Sequence, residues 1–333
     1  MHGGNLEKQS SINDHQMAIS HGVDTQGLRA CSMISIMMSN SLLGEDAAPK
    51  EAPKPSSPVD SIDIFLSHSW SASGFWKLVT LLAFFNSPSV SAVIAWSYLG
   101  ALIYFSIVST TTFNIMGVVL VHVIFLIGLC IISHVMHRNT MVFFDKCCIN
   151  QLDPVLKSDG ISRLSDYVRA SKKLVVLWSP DYLDRMWCVY ELAVFLHTHT
   201  EADITVINLR YTKLSTFVVL LKCSFGGCLS LFNMCVPHCG SEHTGLLGLL
   251  ICLLLWYIDV ICADEFENMR ARLRTFSLSR AKPSCPIGTY IHLHTLITAM
   301  CGSVEAFEEK IRAVLSGETR TRGIQQLLSS LSV

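Results

Sequence analysis

The chain has 333 residues, of which 50% are apolar and only 15% charged, where soluble domains average ~25% charged. With a mean hydropathy of +0.43, this argues against a wholly soluble globular chain. Lys and Arg number 25 against 26 Asp and Glu, a net charge of −1, so no bulk electrostatic footprint for nucleic acid exists. Thirteen scattered cysteines, including the adjacent Cys147 and Cys148, are too sparse for a secreted disulfide scaffold. Reduced thiols are the simpler expectation.

Residues 1–58 are polar and mixed, with no apolar core of the kind that makes a signal peptide. Pro49, Pro53, Pro55 and Pro58 mark an extended linker at the end of this stretch. Residues 28–43 carry the pattern of a short helix, and the rest of 1–58 is expected to be disordered. Residues 62–67 are β-branched and aromatic and predict a strand, followed by a helix over 76–85.

From Leu78 to His137 there are sixty residues without Asp, Glu, Lys or Arg. A bilayer span takes ~20 apolar residues, so this run predicts two spans, at 90–108 and 113–135, broken by Ser109, Thr110, Thr111 and Thr112. Strands are predicted at 140–145, 173–178 and 203–209, with helices at 162–170 and 187–197 between them. Leu164 and Val168 share one face of the first helix, and Asp184 is placed to cap the second. A second apolar block predicts spans at 214–232 and 245–262, the former weakened by Lys222. Two pairs of buried core helices are the alternative reading of these blocks. A last strand at 275–278 and an amphipathic helix at 303–315, with Glu305 in its first turn, complete the pattern.

Strand and helix alternation implies a parallel sheet covered on both faces. Lys77, Arg138, Arg210, Lys213 and Arg270 flank one side of the predicted spans, whereas the hairpin tips at 109–112 and 233–243 hold no Lys or Arg. Four spans with both termini cytosolic follow from that asymmetry.

Ligands of open parallel sheets bind beyond the carboxyl ends of the strands. Three polar and aromatic clusters emerge there: Ser67, His68 and Trp70 after the first strand, Asp145 after the second, and Tyr182 with Trp187 after the third. Trp187 and Glu191 are four apart and share a helix face. A carboxylate beside an indole is partly desolvated, which raises its pKa.

Three blocks carry a family resemblance. They are IDIFLSHSW at 62–70, FFDKCCINQ at 143–151 and LVVLWSPDYLDRMWCVYELAVF at 174–195. The last, with Ser179, Tyr182, Trp187, Cys188, Glu191 and Leu192, resembles a TIR domain; the middle one, with Asp145, Cys148, Ile149 and Gln151, also resembles fungal heterokaryon-incompatibility domains. The resemblance implies an α/β fold with a flavodoxin-like parallel five-stranded sheet, here interrupted by two transmembrane helical hairpins. The organisation expected is a disordered region and linker at 1–58, TIR-like parts at 59–88, 137–211 and 264–318, hairpins at 89–136 and 212–263, and a tail at 319–333.

In enzymatic TIR domains the glutamate of the Trp-Cys-x-x-Glu block cleaves the nicotinamide–ribose bond of NAD. The resemblance gives Glu191 that catalytic role, with Ser67, His68, Trp70, Asp145, Tyr182 and Trp187 lining the substrate site. NAD is then a substrate, and no cofactor or metal is expected. The alternatives at single residues stay open. Glu191 is otherwise a surface residue of a packing motif, His68 a local hydrogen-bonding residue, Asp145 a cap, and Cys147 and Cys148 buried structural thiols. Cys223, Cys228, Cys235, His238, Cys239 and His243 lack a recognised zinc spacing.

Three functions therefore compete. The first is a membrane-anchored, multi-pass TIR-like signalling protein that is an NAD nucleosidase. The second is a non-enzymatic module that self-associates into homo-oligomers at the bilayer. The third is a small channel or transporter with a regulatory TIR-like domain, for which His122 and Lys222 are the ionisable residues within the spans.

Overall fold

Eight consecutive residues, Ser171–Trp178, form the strand on which the fold is built, and its last five are all buried. Such a strand is apolar on both faces because both faces of the sheet are covered. The computed structural model describes residues 27–38, 56–85, 139–214, 257, 260–261, 264–265, 267–281 and 287–316. In chain order the strands are β1 (Arg29–Ser32), β2 (Ser56–Pro58), β3 (Ile62–His68), β4 (Met141–Phe143), β5 (Ser171–Trp178) and β6 (Ile204–Asn208). The labelled helices are α1 (Met33–Met38), α2 (74–85), α3 (Asp145–Cys148), α4 (Pro154–Ser162), α5 (Leu164–Arg169), α6 (Met186–Thr198), α7 (Ile287–Cys301) and α8 (Val304–Ser316).

The sheet has six strands in the order β2-β1-β4-β3-β5-β6. β4, β3, β5 and β6 run parallel, with Phe65 opposite Phe143 and Leu174, and Ser67 opposite Val176. The chain leaves β3 to one side for β4, then returns across it to β5. The crossovers reverse between β3 and β5, where a crevice opens at the carboxyl ends. Beneath that crevice the core is aromatic: Phe65 stacks on Phe143 at 4.7 Å, and Phe143 meets Tyr167 at 4.3 Å.

The sheet departs from the expected five parallel strands. β1 pairs antiparallel with both β2 and β4, so the stretch read as a helix at 28–43 opens with a strand and is helical at Met33–Met38, and the Pro-rich linker supplies β2. Arg29 Nη2 donates to the Ser56 carbonyl at 2.5 Å, and Leu28, Ala30, Cys31, Met33 and Ile36 are fully buried. β1 covers the otherwise unpaired edge of β4. Its residues have little β propensity and its partners are distant in sequence, which is why the pattern does not read as a strand.

Residues 275–278 are not a strand. Thr275 N–H closes a helical turn onto the Ala271 carbonyl, and Leu278–Arg280 form a 3₁₀ turn. Phe276 turns inward against Phe307, with ring centroids 6.2 Å apart. Asp184 does not cap α6: it ends a 3₁₀ turn, and the preceding position is Arg185, whose side chain makes no capping bond. α4 was not foreseen; Asp153 caps it by accepting from Val155 and Leu156. α7 was also missed and packs on α6. The chain reverses into α8 at Gly302, whose φ of 83° suits glycine. Ser303 Oγ accepts from Ala306 N–H, and Phe307, Ile311, Val314 and Leu315 line the buried face of α8.

The hairpin at 89–136, the tail at 319–333, the cysteine and histidine group at 223–243, and almost all of 212–263 lie outside the described residues. Among the described residues, no helix is long and apolar enough to cross a membrane.

Candidate functional site

Ser67 and His68 end β3, both buried, at the level of Val176 and Leu177 of β5. Ser67 Oγ donates to Glu191 Oε2 at 2.5 Å. Its one proton is thereby used, so the Tyr182 hydroxyl, 2.6 Å away, is the donor to Ser67. Tyr182 is fully buried in the 3₁₀ turn after β5. Burial, with the Cys188 and Glu191 groups nearby, holds its phenol well above the usual range, so it keeps its proton. A directed chain, Tyr182 to Ser67 to Glu191, thus crosses the crevice between β3 and β5.

Glu191 is half-buried as a residue, but its carboxyl end is surrounded by protein. Burial pushes the carboxyl up to about 8, the Ser67 bond opposes that rise, and the charge of Asp145 adds to it. At neutral pH the resting carboxyl therefore holds a proton for most of the time.

A second group lies beside the first. Trp70 Nε1 donates to Asp145 Oδ2 at 2.5 Å, and Lys146 Nζ sits 4.9 Å from the centroid of the Trp70 ring. Trp70 keeps 40% of its surface exposed. His68 stacks on Phe144 at 4.9 Å, with Nε2 3.9 Å from Asp145 Oδ1. Burial pulls His68 down to about 4; Asp145 opposes this, Lys77 and Lys146 reinforce it, and the Leu66 backbone opposes it. His68 is neutral at pH 7, so it is an unsuitable partner for a phosphate charge. Asp145 opens α3 and accepts from Lys146 N–H at 2.7 Å, but the cap position is Phe144 and no side chain caps the turn.

The structure gathers Ser67, Tyr182 and Glu191 into one chain and His68, Trp70 and Asp145 into the neighbouring cluster. Trp187 lies on the same helix as Glu191, with its ring edge-on to Tyr190 at 6.1 Å. Cys147 and Cys148 are buried, and Cys148 Sγ lies 3.9 Å from Cys31 Sγ. Hydrogen bonding among these thiols and burial hold Cys31 far above the usual thiol range.

Asp181 is the residue that sequence reasoning missed. Its carboxylate accepts from Ser69 at 2.6 Å, Ser179 at 2.8 Å, Ser71 and Arg185 Nε. Burial pushes this carboxyl up, but the bonds from Ser69, Ser71 and Ser179 outweigh burial and bring it to about 2. Asp181 thereby ties the loop carrying Trp70 to the loop after β5. The available signal was Ser179-Pro180-Asp181, a turn signature, together with serines at 67, 69 and 71.

A buried carboxyl of raised pKa at the topological switch point of an α/β sheet is a candidate ligand site. Residues 137–236 match the TIR domain family. β3 lies ahead of the matched residues, and it joins the domain by pairing between β4 and β5. No curated protein and no solved structure matches the chain.

Proposed function

We propose that this chain is a membrane-anchored TIR-like signalling protein that hydrolyses the nicotinamide–ribose bond of NAD. The observation that carries the reading is the Glu191 carboxyl at the crevice between β3 and β5, fixed by Ser67 and Tyr182. The nicotinamide ring of NAD is a pyridinium cation. Placed beside Glu191, it favours the carboxylate and lowers its pKa in the complex. As the C–N bond breaks, positive charge moves onto the ribose, where the same carboxylate stabilises it and accepts hydrogen bonds from ribose hydroxyls. Trp70, partly exposed and held by Asp145, offers a ring face to the base.

The test is nicotinamide release by the full-length protein at high density, in detergent or in vesicles. Glu191→Gln keeps the size of the side chain and loses the charge, and is expected to lower release by ~10²-fold or more. Equal release by wild type and variant removes the mechanism.

Membrane anchorage rests on the uncharged run of sixty residues from Leu78 to His137 and on parity. β3 and β4 are neighbours in one sheet, so any spans between them must be even in number. Both termini and the TIR-like domain then lie on the cytosolic side. A glycosylation tag modified at the N-terminus and unmodified at residue 240 contradicts this topology.

Self-association without catalysis is the second reading. α4 has no buried residue, Val155 and Leu156 expose apolar side chains in its first turn, and Leu152 is exposed just ahead of it. TIR domains commonly self-associate, and an apolar strip of this kind suits contact between copies. Absence of nicotinamide release at any density, with retained oligomerisation, favours this reading.

A further inference from the structure

α2 is built inside out. Over 74–85 its one charged residue is Lys77, which is fully buried, as is Thr80 nearly a turn further on. The opposite stripe, Phe75, Val79 and Leu82, follows the i, i+4, i+7 spacing of a single helix face and is wholly apolar. Phe75 is 57% exposed and Leu82 38%. A surface helix of a globular protein turns its charges outward and its apolar stripe inward. Exposed apolar residues scattered singly need no explanation, but a stripe of them opposite a buried cation marks a contact surface.

The surroundings select what covers that stripe. The chain leaves α2 at Phe85 and meets no Asp, Glu, Lys or Arg until Arg138, and no Asp or Glu stands between Asp63 and Asp145. Contacts between protein copies are rimmed by polar and charged groups. The apolar pair on α4 has such a rim in Asp153, Lys157 and Asp159, whereas the α2 stripe continues into uncharged sequence. The charge set against the start of α2 is cationic: Lys213 Nζ lies 5.6 Å from the centroid of the Trp76 ring. Lys213 is exposed and stands one residue ahead of the second apolar block. Trp and Lys beside an apolar face are the groups that anchor protein at a lipid headgroup boundary. Twelve residues rise about 18 Å as a helix, short of the ~30 Å hydrocarbon core, so α2 is too short to span and long enough to lie along the surface.

We infer that α2 is an interfacial helix, with Phe75, Val79 and Leu82 resting among the acyl chains of an anionic bilayer and Lys213 at the level of the phosphates. The inference rests on the membrane-anchored reading and adds a contact separate from the spans. The inverted pattern follows from it, because lipid rather than water is then the solvent of the outer face. α2 begins at residue 74, three positions beyond Ser71. The loop of Ser69, Trp70 and Ser71, which Asp181 holds, is thereby carried close to the headgroups.

The test places a photoreactive benzoylphenylalanine at Phe75 and, separately, at Leu82 of the full-length protein, with Val155 of α4 as the comparison site. All three are exposed apolar positions, so the label leaves the core undisturbed. The protein is reconstituted into phosphatidylcholine vesicles with about a quarter phosphatidylserine. Adducts are read by mass spectrometry, and resistance of the chain to alkaline extraction is measured alongside. Lipid adducts at Phe75 and Leu82 are expected at about ten times the yield at Val155, since an interfacial helix sinks its apolar face ~5–10 Å into the headgroup boundary. Crosslinks from Phe75 and Leu82 to a second copy, or lipid yields no higher than at Val155, overturn the inference; a chain that still resists alkali then leaves anchorage by spans standing. Lipid adducts in a chain that alkali releases keep the inference and remove the spans. Release by alkali with no lipid adduct removes both.

Discussion

Ser67 Oγ lies 2.6 Å from the Tyr182 hydroxyl and 2.5 Å from Glu191 Oε2, so a single hydroxyl on β3 joins the turn after β5 to α6. Two segments of the TIR match are thereby registered on a strand that lies outside it. The bond also limits the rise in the Glu191 pKa that burial and Asp145 cause.

Ser67→Ala should therefore raise the Glu191 pKa above about 8. A hydrogen bond to a charged group contributes ~1.5–3 kcal/mol, and one pKa unit is ~1.4 kcal/mol, so the shift should be about 1–2 units. Titration of the labelled Glu191 carboxyl by NMR reads this directly. An unchanged or lowered value contradicts the assignment of Ser67 as donor.

Stability should depend on pH through two groups with opposite signs. Glu191 is raised in the fold, so it binds its proton more tightly there than in the unfolded chain. Its contribution is complete below the ordinary 4.5 and is lost as pH rises towards about 8. His68 is depressed from 6.5 to about 4, so its contribution is present above 6.5 and lost as pH falls towards 4. Between pH 4.5 and 6.5 the two slopes oppose each other. Between 6.5 and 8 Glu191 acts alone, and the thermal midpoint should fall. Glu191→Gln should flatten that limb; a limb that persists in the variant assigns it elsewhere.

Some of this site was legible in the sequence. Strands β3, β5 and β6 announce themselves through runs such as Ile62-Asp63-Ile64-Phe65-Leu66 and Leu174-Val175-Val176-Leu177-Trp178, and α8 through its periodic Phe307 and Ile311. Ser67 and Tyr182 stood out because strand order brings their ends together, and Glu191 through the resemblance of the Trp187-Cys188-x-x-Glu191 block to TIR domains. The role of Asp181 did not, because Ser69 and Ser71 are more than a hundred residues away and join the local partners Ser179 and Arg185 only after folding. β1 and β2 were hidden because Arg29 and Ser56 owe their pairing to contacts 27 residues apart rather than to local propensity. Thr275–Leu278 misled for the opposite reason: Phe276 and Leu278 alternate like a strand but bury against α8.

Asp181→Asn should loosen the crevice without emptying the core. The amide retains one acceptor for four donors, so the loop of Ser69, Trp70 and Ser71 loses its tie to Ser179. We expect a cost of ~1–3 kcal/mol, the range for leaving buried donors unsatisfied. Hydrogen exchange should quicken at 69–71 and 179–182 while β5 stays protected. In the wild type this carboxylate's contribution is lost as pH falls from 3.8 towards about 2. Uniform loss of protection across β5 contradicts a local clasp.

Val155→Glu with Leu156→Lys should reduce self-association and leave the fold intact. α4 buries none of its residues, so neither substitution opens a cavity, and surface changes of this kind usually move stability by under ~0.5 kcal/mol. Oligomeric mass measured by light scattering should fall at unchanged thermal midpoint. Unchanged mass removes α4 from the contact between copies.

Removing residues 1–38 should be far more damaging than a change at any one of them. β1 lies between β2 and β4, so its loss leaves β4 an open edge and strands β2 without a partner. It also uncovers the side of the core that Leu28, Met33 and Ile36 close, each fully buried. Burying a side chain of this size contributes ~1.5–3 kcal/mol, and whole domains are stable by only ~5–15 kcal/mol. The truncated chain is therefore expected to aggregate through the bare β4 edge. Arg29→Ala removes the bonds to Ser56 and should cost ~1–3 kcal/mol, since both are donated by the charged guanidinium. Solubility and thermal midpoint of the two variants decide the matter. A truncated chain that stays soluble with a near-native midpoint shows that β1 and β2 are dispensable to the sheet, and that the four parallel strands stand alone.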